Sequence, residues 1–186
     1  MFALYVIPLL CLMSVGHSGP LCCNNLVEPL DHLDPHRVVG RQFLVAGSVV
    51  DPAQFEEFKK RDSASMVFSN VSETSQMTFT RIFGFADGCQ YLHSKITLEG
   101  SSFTFNHLNL TVTVLHTSCP DCLVIRFNNE SKKLLRLYLS SRRMEVDQKE
   151  MEEFRAQVEC LNMPPPVVMD PTKEICPLQV STDPAA

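Results

Sequence analysis

The chain has 186 residues, 45% of them hydrophobic, with 16 Lys and Arg against 21 Asp and Glu for a net charge of −5. That is the size and composition of one globular domain. The acidic balance argues against DNA or RNA as the main partner, because phosphate binding needs a basic surface.

The first element is an apolar run, Phe2 to Val15, without Asp, Glu, Lys or Arg. At roughly 14 residues it is short of the ~20 that span a bilayer. Small residues follow at Gly16, Ser18 and Gly19, so residues 1–18 read as a secretory signal peptide cut after Gly16 or Ser18. No later segment reaches transmembrane length without a charge or a Pro, and the expectation is an exported protein with no transmembrane span. Three sequons, at Asn70, Asn109 and Asn129, are acceptors for N-glycosylation in a eukaryotic secretory pathway.

From Gly40 to about Ser140, short apolar runs alternate with polar turns every 8 to 12 residues, the rhythm of an all-β barrel or sandwich. The expected strands are Gln42–Val50, Ser65–Asn70, Gln76–Phe83, Gln90–Leu98, Ser102–Asn106, Asn109–His116, Cys122–Asn128 and Lys133–Ser140. Alternation is clearest where Met77, Phe79, Arg81 and Phe83 share one face, and Leu123, Ile125 and Phe127 repeat it. Pro52–Lys60 breaks the rhythm and reads as a helical turn over the first long loop. After the strands the period changes: Asp147 and Glu150 form a capping box, and Met151, Phe154, Val158 and Leu161 make one apolar stripe. This amphipathic helix stops at Asn162 and the Pro164–Pro166 run. Its stripe packs most simply on the outside of the sheet. Residues 177–186 read as a flexible tail.

Of eight cysteines, Cys11 leaves with the signal peptide, so seven remain: Cys22, Cys23, Cys89, Cys119, Cys122, Cys160 and Cys176. An odd count leaves one thiol free or paired between chains. Cys119-Pro120-Asp121-Cys122 is a CxxC with no second pair and no His at finger spacing after it, so a local disulfide is preferred to a metal site. Residue spacing leaves the other pairings open. No cofactor motif is present, and no Ser-His-Asp grouping can be picked out. The eight strands, if closed, make a barrel just wide enough for one small ligand.

The order of these elements resembles the lipocalin family, in the branch of orosomucoid, apolipoprotein M and the fish plasma proteins that bind tetrodotoxin, saxitoxin or tributyltin. Four segments carry the resemblance: Pro20-Leu21-Cys22-Cys23-Asn24-Asn25-Leu26, Gly40 to Gly47 at the position of the family's Gly-x-Trp strand, Phe55 to Asn70, and Phe154 through Cys160 to Cys176. It covers nearly all of residues 19–176, which are then the lipocalin domain. The departure is Gln42, which stands where the family has Trp, in a chain with no Trp at all. Arg142 or Arg143 stands for the family Arg that packs on that indole, and the closed end is expected to be more polar or more open.

The resemblance implies an eight-stranded up-and-down antiparallel barrel with the C-terminal helix on its outside. It implies disulfides Cys23–Cys160 and Cys89–Cys176 beside the local Cys119–Cys122, with Cys22 as the odd thiol. It also implies a ligand pocket lined by Leu44, Met77, Phe79, Arg81, Phe83, Leu123, Ile125, Phe127, Arg136 and Tyr138. Two cations and a phenol in an apolar cup suit an amphipathic anion or phospholipid. The implied function is a secreted, monomeric plasma carrier for a small hydrophobic or amphipathic ligand, without cofactor or catalysis. Two alternatives stand beside it. One is an apolipoprotein M-like carrier of sphingosine 1-phosphate, held on lipoprotein particles by a retained signal peptide. The other is a glycosylated surface-interaction protein that needs no ligand.

Overall fold

The computed structural model describes residues 20–69, 76–105 and 108–179. The expected signal peptide, Asn70, His107 and the last seven residues lie outside them. The chain enters through two short helices, α1 (Pro20–Leu26) and α2 (Pro35–Val38), which the strand rhythm does not announce. Asp34 caps α2 through its carboxylate, which accepts from the His36 N–H at 2.9 Å.

Eight strands follow: β1 (Gly40–Val49), β2 (Ser63–Ser69), β3 (Gln76–Phe85), β4 (Gly88–Thr97), β5 (Ser102–Phe105), β6 (Leu110–Leu115), β7 (Cys122–Asn129) and β8 (Leu134–Ser141). All neighbours pair antiparallel in the order β4-β3-β2-β1-β8-β7-β6-β5. The two ends of that order are consecutive in the chain and meet at a Glu99–Ser102 bridge of 2.8 and 3.0 Å. The sheet is therefore a nearly closed up-and-down barrel, which leaves little free strand edge. A ninth, two-residue strand, β9 (Val167–Val168), pairs with Ala46 and Gly47 of β1.

The wall sorts side chains into two cores. The inner one gathers Leu44, Met66, Phe68, Phe79, Phe103, Ile125 and Phe127 among others; the outer one gathers Val45, Ala46, Val124, Leu137 and Leu139. The register of β1 on β8 shifts between Leu44 and Ala46, a bulge. Because strand parity is two, the extra residue inverts the alternation. Gln42 and Leu44 turn inward before it, Gly47 and Val49 after it, and Val45 and Ala46 both join the outer core.

The sequence expects helices in two places and both form. α3 (Pro52–Lys59) follows β1, with Asp51 as N-cap accepting from the Gln54 N–H at 2.8 Å. It drops Phe58, 1% exposed, into the open end of the barrel. A Cβ on Gly47 would lie 2.5 Å from the Phe58 ring and 2.9 Å from Tyr138, so only glycine lets α3 sit this close. α4 (Gln148–Cys160) carries the predicted capping box. It buries Phe154 and Val158 on the outer core, as its stripe requires. Gln157, also buried, donates from Nε2 to the carbonyls of Leu26 and His116, both at 2.8 Å, tying α4 to the entry segment and to the end of β6. Asp147→Ala removes the 2.9 Å bond from the Glu150 N–H. Loss of such a cap costs about 1 kcal/mol, so Tm should fall by about 2–4 °C in a domain of this size, read by thermal denaturation.

Three disulfides stitch this frame: Cys23–Cys160 joins α1 to α4, Cys89–Cys176 joins β4 to the C-terminal segment, and Cys119–Cys122 closes the loop before β7. At the start of the expected tail the Tyr91 hydroxyl donates to the Pro177 carbonyl at 2.9 Å, and His93 Nε2 lies 3.3 Å from the Gln179 side chain.

Candidate functional site

The barrel's open half holds a cavity whose wall comes from β1, β2, β3, β7 and β8, with Arg61 from the α3–β2 connection at its rim. Seven of the sequence-derived pocket residues lie on it: Leu44, Phe79, Arg81, Phe83, Phe127, Arg136 and Tyr138. Alternation on β3 and β8 turns these side chains inward, and the aromatic ones interlock. Phe127 and Tyr138 have ring centroids 5.1 Å apart, and Phe58 caps Tyr138 at 5.5 Å. The free space amounts to about 40 Å³. That is room for a water or two, so a ligand enters only by displacing side chains at the rim.

Three expected residues lie elsewhere. Met77 and Ile125 turn inward but belong to the closely packed inner core, off the cavity wall. Leu123 lines a separate cavity at the closed end of the barrel. All three have the inward parity; depth along the barrel axis, which alternation does not encode, separates them. Four wall residues were not anticipated: Arg61, Ala64, Ser65 and Met66. Ala64 and Met66 sit at alternate positions of β2, a signal that strand parity could have supplied. Arg61 ends a Lys59-Lys60-Arg61 run that reads as solvated surface, and only the fold turns it over the Phe83 ring, 4.3 Å from the centroid.

Three guanidinium groups thus converge on one apolar cup. Arg81 lies 5.0 Å over the Phe105 ring and Arg136 donates to Gln54 Oε1 at 2.7 Å. No Asp or Glu stands on the cavity wall among the described residues. The Nε atoms of Arg61 and Arg81 are buried without a hydrogen-bond acceptor. Burial first, then the like charges of Arg136 and Arg61, push the Arg81 guanidinium below its ordinary pKa, although the nearby Tyr138 acts the other way. Such a cluster of like charges on a partly buried wall is a standing electrostatic cost.

The closed end is built differently. Arg142, not Arg143, reaches it: Arg142 Nη2 donates to the Val39 carbonyl at 3.0 Å and, with Gln42, helps line a cavity of about 350 Å³. Arg143 turns outward and bridges Asp121 and Glu150, both at 2.8 Å. Its hydrogen bonds hold the Asp121 carboxyl below the usual carboxylate range. Cys119, Asp121, Cys122 and Glu150 come within 4.8 Å of one another. Both sulfurs are tied in the disulfide and Arg143 neutralises both carboxylates, so the cluster works as an ion-paired clasp between the CxxC loop and α4. Of the sequons, Asn109 is exposed at the start of β6, and Asn129 is half-buried with its side-chain oxygen accepting from the Lys133 N–H at 2.9 Å.

No curated protein sequence matches this chain. Among solved structures it is similar to the siderocalin Ex-FABP, at 21% identity and TM-score 0.58, over 78% of this chain and 97% of that one. It is also similar to siderocalin Q83, at 18% identity and TM-score 0.67, over 79% and 98%. At these identities the likeness is one of fold. The ApoM domain model matches residues 5–180, a span that includes every strand of the barrel and all three disulfides. With that match over nearly the whole length, the chain belongs to the ApoM-domain family of lipocalins, binding carriers built on this barrel.

Proposed function

We propose that this protein is a secreted carrier whose barrel takes a small amphipathic molecule, its apolar part among Phe79, Phe83, Phe127 and Tyr138 and its anionic group at Arg61, Arg81 and Arg136. The observation that carries this reading is the convergence of those three cations on an apolar cavity whose described wall holds no carboxylate. Hydrogen bonds between guanidinium and an oxyanion are charge-assisted and are worth about twice a neutral pair. The chemical class is a single-chain lipid acid or phosphate, of which sphingosine 1-phosphate is one member. Secretion is supported by the apolar leader, three disulfides and the exposed sequon at Asn109. Retention of residues 1–18 would hold the carrier on a lipoprotein surface; cleavage would release it as a monomer into plasma.

Native mass spectrometry of protein secreted from eukaryotic cells, before and after organic extraction, tests the proposal. The expected result is a one-to-one complex with sphingosine 1-phosphate or oleate that forms in preference to the matching alcohol. An extracted protein whose mass shifts with neither acid nor phosphate would overturn it and favour a surface-interaction role. The same spectra read leader cleavage and glycan mass at Asn70, Asn109 and Asn129.

A further inference from the structure

The CxxC loop and the first turn of α4 bring four metal-ligand side chains together. Cys119, Asp121, Cys122 and Glu150 each offer one atom, and these atoms all lie within 4.8 Å of one another. A cation already stands among them. Arg143 Nη2 donates to Asp121 Oδ1 and Glu150 Oε1, both at 2.8 Å, and lies 3.5 Å from Cys119 Sγ. Both carboxylates are held from behind: Asp121 Oδ2 accepts from the Ser141 hydroxyl at 3.2 Å, and Glu150 Oε2 from the Asp147 N–H at 2.8 Å. Metal-ligating carboxylates are oriented by outer hydrogen bonds of this kind. The Glu150 side chain is 13% exposed and that of Arg143 44%, so the guanidinium is the partner that can swing into water.

We infer that the Cys119–Cys122 disulfide masks a redox-gated site for a divalent cation of the zinc class, whose ligands after reduction are the two sulfurs with Asp121 Oδ1 and Glu150 Oε1. The gate opens by exchange with a low-molecular-weight thiol. One thiolate attacks Cys122 Sγ, the S–S bond breaks, and its electron pair stays on Cys119 Sγ beside the Arg143 guanidinium. A second thiolate attacks the small-molecule sulfur of the mixed disulfide, releases the Cys122 thiolate and leaves as the oxidised thiol dimer. The protein gains two electrons and the two thiols lose them. Charge then selects the occupant. In the disulfide state two carboxylates face one guanidinium. After reduction four anionic ligands face the same single charge, and a dication in its place restores the balance. Zinc takes ligands at C-x-x-C spacing, with sulfur at about 2.3 Å and carboxylate oxygen at about 2.0–2.2 Å, so the four atoms need draw in by only about 1 Å. The oxidised bond keeps the site shut in an oxidising compartment.

Cobalt(II) alone is the probe, because thiolate-to-cobalt charge transfer reports sulfur ligation and the d–d bands report tetrahedral geometry. The full secreted protein is opened with a phosphine, which leaves no competing thiol, and differential alkylation maps the cysteines released. The expected result is one cobalt per chain with thiolate charge transfer, only after Cys119–Cys122 opens, and displacement by zinc. Glu150→Gln should weaken cobalt by at least about tenfold, since even an outer-shell partner is worth that much. Arg143→Ala should bind cobalt several-fold more tightly, because no internal cation competes for the ligands; a merely structural clasp would gain nothing from that change. No uptake after reduction, equal uptake before it, cobalt bound without thiolate charge transfer, or no gain in Arg143→Ala would each overturn the assignment. So would a Cys119–Cys122 bond that cannot be opened while the barrel keeps its near-UV circular dichroism. Should Arg143→Ala fail to fold, the parent and Glu150→Gln decide.

Discussion

Cys160→Ser should lower Tm by about 10–20 °C and sharply reduce the amount of protein secreted, whereas Cys122→Ser should lower Tm by only about 4–8 °C. The difference follows from loop length. Cys23 and Cys160 are 137 residues apart, so their bond removes a very large loop from the freedom of the unfolded chain. The chain-entropy account gives about 5 kcal/mol for that closure and about 2 kcal/mol for a loop as short as Cys119–Cys122. A domain of this length has a total stability of roughly 10–25 kcal/mol at the usual value per residue, and real domains sit toward the lower end. Five is then a large share of the whole, and each kcal/mol moves Tm by about 2–4 °C. Packing adds to the effect. α1 reaches the barrel through α4, by this bond and by the Gln157 contact to the Leu26 carbonyl. Release of Cys23 frees the entry segment, and with Cys22 beside it leaves adjacent thiols open to wrong pairing. The CxxC loop, by contrast, keeps the Arg143 bridge to Asp121 and Glu150 when its disulfide is lost. Thermal denaturation and secreted yield, measured side by side, check the ranking. Equal losses in the two variants would show that loop entropy does not govern this protein's stability.

The barrel was legible because alternation survives in strands with one face in each core. Met77-Thr78-Phe79-Thr80-Arg81 needs no partner to declare its pleat. Each expected strand lies within two residues of an observed boundary, and the error sits where caps and turns decide, as at Ser63 and Gly88. α1 and β9 gave no signal because their stability is tertiary, and α2, four residues long, carried only its Asp34-Pro35 cap and was too short to show a period. A two-residue strand exists only because Ala46 and Gly47 lie beside it, and α1 is held by a disulfide. The site was half legible for the same reason. Parity turned Arg81, Phe83, Arg136 and Tyr138 inward, but it says nothing of depth, and Leu123 fell into the other cavity. Arg61 is a loop residue whose direction depends on α3 packing over Gly47, a contact no local pattern contains. Gln42 was visible as a departure from its family, yet the cavity it lines takes walls from four separate stretches of chain.

Arg81→Ala and Arg136→Ala should each weaken binding of an anionic single-chain lipid by about 10- to 100-fold while leaving the matching alcohol nearly unaffected. A charge-assisted hydrogen bond contributes roughly 1.5–3 kcal/mol, and each 1.4 kcal/mol is tenfold in affinity. The two losses should not add, because both groups face one head group and the survivor can recentre on it. Stability should move the other way from affinity. In the free protein Arg81 is partly buried, its Nε lacks an acceptor, and Arg136 and Arg61 repel it. Truncation relieves that repulsion and the burial of an unpaired donor, at the cost of the packing of the side-chain stem against Phe105. Tm should therefore stay within a few degrees of the parent or rise. Arg136→Ala forfeits the 2.7 Å bond to Gln54, and with it one of the contacts that hold α3 over the mouth, so faster ligand exchange should accompany its weaker binding. Titration calorimetry with paired acid and alcohol ligands, and stopped-flow release for Arg136→Ala, separate these effects. If both variants kept the parent's affinity for the acid, the three guanidinium groups would not be its binding site. Loss of acid and alcohol together would mean that the arginines shape the cavity rather than read its charge.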